Sequence, residues 1–118
     1  MLLERADQAI TVTDVQRRTK VLFDRLESRD QDRYVVMRDG KPIFIMIRMI
    51  ELAGRPLLER ADQAITATDV QRNAKEIFDR LQSGEQDRFL VMREGRPAVE
   101  LLPLEAYEAL REDLDSRK

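Results

Sequence analysis

The hydrophobic and polar positions of this chain follow one pattern twice, with an offset of 55 residues. The segments "AITVTD" and "AITATD" alternate apolar and polar residues and are rich in β-branched side chains, which is typical of a short strand. Apolar residues then recur at helical spacing, and this predicts one amphipathic helix of about four turns in each copy. The positions are Val15, Leu22, Phe23 and Leu26 in the first copy and Val70, Ile77, Phe78 and Leu81 in the second.

Both predicted helices have recognisable ends. A threonine followed three residues later by glutamine, at Thr13 and again at Thr68, matches a capping box and predicts that the helices begin there. Ser28 and the pair Ser83-Gly84 mark the ends, since glycine readily adopts the left-handed backbone that closes a helix.

A β-hairpin is predicted after each helix. The buried strands "RYVVMR" and "RFLVMR" lead into Asp39-Gly40 and Glu94-Gly95, which are residue pairs typical of tight hairpin turns. In the second copy Pro103 ends the return strand, and "LEAYEALREDL" predicts a further helix.

The return strand of the first copy, residues 43–50, is apolar at nearly every position. Because alternate residues of a strand point to opposite faces, both of its faces should be buried. Two interpretations follow: a central strand of a joined sheet, or an exposed patch through which the chain binds a partner or a second copy of itself.

The duplication defines the domain organisation. Residues 2–42 and 57–97 are identical at 29 of 41 positions, and the similarity stops after Pro42 and Pro97. We therefore predict a first repeat at 1–52, a linker at 53–56 and a second repeat at 57–118. A linker this short holds the repeats side by side, so the expected fold is α+β, with each unit a helix packed on a short antiparallel sheet and the two joined as an intramolecular pseudo-dimer.

Composition narrows the chemistry. The chain has neither cysteine nor histidine, which excludes thiolate metal sites, cysteine nucleophiles and histidine-centred triads, and we expect neither an enzyme nor a cofactor. The net charge of −2 argues against nucleic-acid binding by bulk charge, although a local basic face stays open. The start "MLLERADQAI" predicts no signal peptide, and the longest apolar run is too short to span a bilayer, so a cytoplasmic protein without membrane contact is expected.

The order "ITATDVQRNAKEIFDRL" followed by "DRFLVMREGRPAVELLPLEAYEAL" resembles the Phd/YefM antitoxin family, the DNA-binding halves of prokaryotic type II toxin–antitoxin pairs. The resemblance covers Ile65 to Leu110 in full, and Ile10 to about Ile47 in the first copy. It implies a small unit whose helix packs on a three-stranded antiparallel sheet, paired through the sheets into a dimer on a palindromic operator. By this resemblance the chain is a transcriptional repressor of a toxin–antitoxin operon, with both units in one polypeptide and operator DNA as its partner.

The resemblance places a DNA-contacting arginine at the strand end before each turn, at Arg38 and Arg93. Paired about a two-fold axis, two such arginines can reach two half-sites. The alternative is a solvated turn arginine that is neutralised by Asp39 or Glu94.

Further DNA-binding candidates lie near the predicted helix starts. Arg17, Arg18 and Arg72 occupy first turns, where the helix dipole disfavours cations, and a residue placed against its local preference favours a functional role. Backbone N–H groups at the same helix starts, with Thr13 and Thr68, are able to hold a phosphate. Two solvated cations after the turns complete the set: Lys41 and Arg96.

The last helix carries the candidates for partner binding. Tyr107, Leu110 and Leu114 recur at near-helical spacing, and we expect them to pack on the sheet. In the family this region leads into a toxin-binding arm, so the resemblance makes a cognate toxin a possible partner. Only "REDLDSRK" follows the helix signal, so that arm is nearly absent here.

Two competing hypotheses stay open beside the repressor. One is a protein-interaction or toxin-binding scaffold that does not bind DNA and holds its partner through the helix or the apolar segment 43–50. The other is an engineered or recombined tandem without a selected function of its own.

Overall fold

The computed structural model of the protein describes residues 8–48 and 61–116. The first repeat contains β1 (Ala9–Thr11), α1 (Val12–Arg17), α2 (Thr19–Glu27), β2 (Arg33–Arg38) and β3 (Lys41–Arg48). The second contains a 3₁₀ turn (Ala61–Gln63), β4 (Ala64–Thr66), α3 (Ala67–Ser83), β5 (Phe89–Arg93), β6 (Arg96–Pro103) and α4 (Leu104–Ser116). The linker predicted at 53–56 lies outside the described residues, as do positions 49 and 50 of the apolar segment.

The six strands of the described ranges form a single sheet in the order β1-β2-β3-β6-β5-β4. The hairpins β2–β3 and β5–β6 are antiparallel, as predicted, and the α+β fold class is confirmed. The outer strands β1 and β4 instead join in parallel, so the expectation of a wholly antiparallel sheet is wrong. The reason is the helix between each outer strand and its neighbour, because a helical crossover returns the chain in its original direction.

The two repeats meet along β3 and β6, which pair in antiparallel fashion. Met46 lies opposite Leu101, and these two residues are equivalent positions of the repeats. On either side Ile45 faces Leu102 and Ile47 faces Glu100, so the register is symmetric about the central pair.

The interpretation of the apolar segment as a central strand is confirmed for residues 43–48. Phe44, Ile45, Met46 and Ile47 are buried, and β3 hydrogen-bonds to β2 on one edge and to β6 on the other. Self-association through this strand is therefore wrong for these residues, because both edges and both faces are already occupied within the chain.

The helices begin earlier than predicted. Thr11 and Thr66 are the N-caps: the Asp14 carboxylate accepts from the Thr11 N–H at 2.9 Å, and the Asp14 N–H donates to the Thr11 hydroxyl at 3.1 Å. Asp69 and Thr66 repeat this geometry at the same distances. The capping boxes predicted at Thr13 and Thr68 are wrong. Each box forms two residues earlier, because the threonine that ends the strand is followed three residues later by an aspartate.

The predicted four-turn helix is broken in the first repeat. The backbone leaves helical geometry at Arg18 (φ −122°, ψ 29°), which separates α1 from α2. Asn73 of α3 shows nearly the same angles (φ −128°, ψ 32°) and kinks that helix at the equivalent position. The break thus belongs to the fold shared by both repeats and does not depend on either side chain.

The sheet is covered on both faces. Helices α1, α2 and α3 contribute to one core, in which Phe23, Phe44 and Phe78 are buried. Helix α4 covers the other face, where Tyr107 packs with Ile45, Ile47 and Leu102, and Leu110 packs against this cluster. The expected packing of Tyr107 and Leu110 is confirmed, whereas Leu114 lies beyond the last described side chain. Within residues 8–48 and 61–116 no helix is of the length and apolar character that crossing a membrane requires.

Candidate nucleic-acid interface

Arg38 reaches from the end of β2 to the helix of the other repeat. Its guanidinium forms an ion pair with the Asp79 carboxylate at 2.5 Å and donates to the Gln82 side-chain oxygen at 2.9 Å. Asp39, the neutralising partner considered from sequence, shares no ion pair with it in the part of the chain that the structure describes. The Arg38 side chain is 18% exposed.

Arg93 makes the equivalent contacts in the opposite direction. It pairs with Asp24 and with Glu27 of α2, each at 2.9 Å, and its guanidinium lies 6.0 Å from the centre of the Phe23 ring. Its side chain is 20% exposed. Both strand-end arginines are therefore engaged with carboxylates across the boundary between the repeats.

Two aspartates in these contacts, Asp24 and Asp79, have lowered pKa values. Lys20 and Arg93, which hydrogen-bond to Asp24, hold the pKa of that carboxyl below its usual range. Arg38 and Lys75 lower the pKa of Asp79 in the same way. The causes are favourable charges and hydrogen bonds to the ionised form, and desolvation opposes them.

The first helices of the two repeats are in contact. Helix α1 packs against α3, and Arg17, Arg18 and Arg72 are exposed on these elements. Arg17 and Arg72 are equivalent positions. In the described ranges 8–48 and 61–116 no ion pair holds any of the three arginines.

The three arginines do not lie in the first turns of long helices, as the sequence predicted, because the helices are kinked. Arg17 belongs to the last turn of α1, and the Arg18 N–H donates to the Asp14 carbonyl to close that helix. Arg72 directly precedes the kink at Asn73. Positive charge is favoured at the carbonyl end of a helical segment, so local stability explains these arginines as well as function does.

Some of the backbone N–H groups that were expected to hold a phosphate at the helix starts are already used by the caps. The threonine side chains of Thr11 and Thr66 accept from the backbone N–H groups of Asp14 and Asp69. Thr13 and Thr68 are exposed within the first turns and take no part in the caps. A phosphate at this surface would therefore depend on side chains more than on the backbone.

Lys41 and Arg96 are exposed at the starts of β3 and β6. Arg96 lines a groove of about 630 Å³ between α2 and the β5–β6 hairpin, together with Arg93, Lys20 and Arg48. Asp24, Glu27 and Glu94 line the same groove, so its charge is mixed. The residues that line the groove do not by themselves favour the binding of an anion such as phosphate.

Several interacting side chains were missed by sequence reasoning. Arg88 and Glu100 form a buried ion pair at 3.3 Å, and the only sequence signal was a single acidic residue in the apolar strand "PAVELLP". Arg48 donates to the carbonyls of Leu26 and Gln31 at 3.0 and 2.9 Å, which ties β3 to the end of α2. No sequence signal distinguishes Asp24 and Asp79 from other charged residues of the predicted helices, although the two occupy equivalent positions of the repeats.

Comparison of the chain with protein-family models, with curated proteins and with solved structures gives no match. Among the described side chains no group of three or more acidic residues is arranged to hold a metal ion. The antitoxin resemblance therefore stays a prediction.

Proposed function

We propose that this chain is an antitoxin-like DNA-binding repressor whose two repeats act together on a palindromic operator in the cytoplasm. The observation that carries the proposal is the contact between α1 and α3, which brings two equivalent exposed arginines, Arg17 and Arg72, to neighbouring elements. Arg18, the residue that follows α1, adds a third exposed charge. We call these three residues the helix-start arginines, because they end the first helical segment of each repeat, which is α1 or the part of α3 before its kink.

The symmetric register of the sheet supports this proposal. Equivalent residues face each other at Met46 and Leu101, so each repeat presents its helix to the same side of the sheet. A palindromic duplex has the same two-fold relation between its half-sites, and symmetric binding surfaces match it with one contact set per half.

The charge around the helix-start arginines also supports the DNA-binding proposal, although the net charge of the whole chain is −2. Asp14 and Asp69 lie near the helix-start arginines, but their carboxylates accept the capping N–H groups of Thr11 and Thr66. The arginines therefore present their charge to solvent. Arginine is well suited to phosphate because its planar guanidinium donates two parallel hydrogen bonds.

The test begins with selection of bound sequences from a random DNA pool, followed by affinity measurements at several salt concentrations. Replacing both Arg17 and Arg72 with glutamine should weaken binding and reduce the slope of log affinity against log salt by about 0.9 for each lost phosphate contact. The matched control replaces Arg29 and Arg111, two exposed arginines outside α1 and α3, and removes the same total charge.

Absence of any enriched palindrome would overturn the proposal. The same holds if the control pair weakens DNA binding as much as the helix-start pair does, because binding would then follow net charge alone. The competing scaffold hypothesis has meanwhile lost its proposed apolar contact at 43–48, since that strand is buried. A cognate toxin remains a proposed partner through the region of α4.

A further inference from the structure

Two clusters of side chains cross the boundary between the repeats. The first joins Arg38 of the first repeat to Asp79 and Gln82 of the second. The second joins Arg93 of the second repeat to Asp24 and Glu27 of the first. We call the two the cross-repeat clusters. All three positions of one cluster are equivalent to those of the other, and the amide of Gln82 occupies the place of the Glu27 carboxylate.

The arginines in these clusters are fixed by short hairpins. Asp39-Gly40 and Glu94-Gly95 have positive φ angles of 53° and 78°, and of 54° and 78°, as expected of a turn that continues the strand twist. The tight turn holds the end of β2 or β5 in place. Each arginine thus extends from a rigid hairpin of one repeat to a helix of the other.

The geometry of Arg38 and Arg93 favours a structural contact between the hairpin of one repeat and the helix of the other over a contact to DNA. Their side chains are only about one-fifth exposed, and each guanidinium is already shared between two acceptors of the opposite helix. A phosphate would have to displace these acceptors. The helix-start arginines, in contrast, are exposed and hold no carboxylate in the described part of the chain.

This structural contact acts on the helices that carry the helix-start arginines. Asp79 lies in α3, which continues back through the kink at Asn73 to Arg72. Asp24 lies in α2, and the Thr19 hydroxyl donates to the Val15 carbonyl at 2.5 Å, which joins α2 to α1 across the break. A shift of α2 or α3 relative to the sheet is therefore transmitted to the helix starts.

We propose that Arg38 and Arg93 are positioning residues, each of which holds the helix of the other repeat and so sets the half-site spacing that the helix-start arginines accept. This inference rests on the proposed function. It differs from the resemblance, which assigned these two arginines to the DNA itself.

The test exchanges the charges of one cluster. Arg38→Glu places two carboxylates together, and the double variant Arg38→Glu with Asp79→Arg restores the opposite pair with its polarity reversed. The Arg38 cluster is the better choice, since its other acceptor is an amide that is able to donate as well as accept. Arg38→Gln, which keeps most of the side-chain length, serves if Arg38→Glu does not fold.

Binding is measured on the selected palindrome and on versions whose half-sites are one base pair closer or farther apart. The single variant should lose about tenfold in affinity for the selected spacing and much of its discrimination between spacings, while the exchange variant recovers both. The slope of log affinity against log salt should stay the same for all forms, because no phosphate contact changes. If the exchange variant stays weak and its salt slope falls, Arg38 contacts DNA and the proposal is overturned.

Urea unfolding separates this inference from the proposed function. The single variant should lower the unfolding midpoint and the exchange variant should recover it, whether or not the protein binds DNA. A chain that binds no DNA but shows this recovery would overturn the proposed function and the role in half-site spacing. It would still support the stabilising contact between Arg38 and Asp79. If the midpoint does not recover, the two side chains are not coupled, and the inference fails independently of any DNA result.

Discussion

Equivalent positions of the two repeats differ in the polar atoms that they bury. Tyr34 on β2 is buried where the second repeat has Phe89, and within the described residues its hydroxyl has no hydrogen-bond partner. Ile45 on β3 corresponds to Glu100 on β6, which forms the buried pair with Arg88. Near-identical sequences therefore place different chemistry in the same sites of one sheet.

Replacing Tyr34 with phenylalanine should stabilise the protein by about 1 kcal/mol, because a buried hydroxyl without a partner loses its hydration and gains nothing in return. Urea unfolding at neutral pH measures the effect. The reciprocal change Phe89→Tyr is the matched control and should destabilise by a similar amount, since it introduces a hydroxyl into the equivalent site. A lower unfolding midpoint for Tyr34→Phe would show that the hydroxyl is satisfied in solution.

At the scale of elements, the helices owe their starts to the residue that ends the preceding strand. Thr11 and Thr66 have extended backbones, with φ and ψ near −106° and 167° in the first repeat, so one residue both completes the strand and caps the helix. Gly84 ends α3 with a φ of 85°, a left-handed conformation that favours glycine. Local chemistry thus determines both ends of the longest helix.

Thr66→Ala should cost about 1 kcal/mol of folding stability, because it removes the side-chain acceptor of the Asp69 N–H. Thr68→Ala is the control, and it should change the free energy of unfolding by less than about 0.5 kcal/mol, as is usual for an exposed residue outside a cap. Chemical denaturation of the two variants gives the comparison. Equal losses would contradict the assignment of Thr66 as the N-cap.

For the whole molecule, the cross-repeat clusters make stability depend on pH. Asp24 and Asp79 have lower pKa values in the folded protein than the ordinary aspartate value, so the unfolded chain takes up protons first as the pH falls. Their stabilising contribution is complete above about pH 4, the ordinary range for aspartate, and is lost as the pH falls through the folded pKa values.

We therefore expect wild type to exceed the Asp24→Asn, Asp79→Asn double variant in stability at about pH 6, with a difference that shrinks steadily below about pH 4. Urea midpoints across this range test the expectation. The matched control is Glu105→Gln with Glu108→Gln, which removes two exposed carboxylates outside the clusters and the helix caps. A difference between wild type and the cluster variant that does not change with pH would exclude these two carboxylates as its source.

The sequence by itself determined the local elements of this protein. The 55-residue repeat, the two hairpins with their acidic-glycine turns and the helix after Pro103 all followed from periodicity and turn chemistry. These features depend on neighbours along the chain, whose spacing is written in the sequence. One error was a local competition: Asp14 closes a capping box with Thr11, whereas Thr13 and Gln16 were expected to form it.

The tertiary structure alone decided which residues meet across the repeats. Arg38 finds Asp79 at a separation of 41 residues, and Arg93 finds Glu27 at a separation of 66. These contacts exist because β3 pairs with β6, which places each hairpin beside the helix of the other repeat. The same pairing buries the strand that sequence left open as an interaction patch. Spacing along a chain cannot specify such partners, since they depend on how the two halves of the sheet are joined.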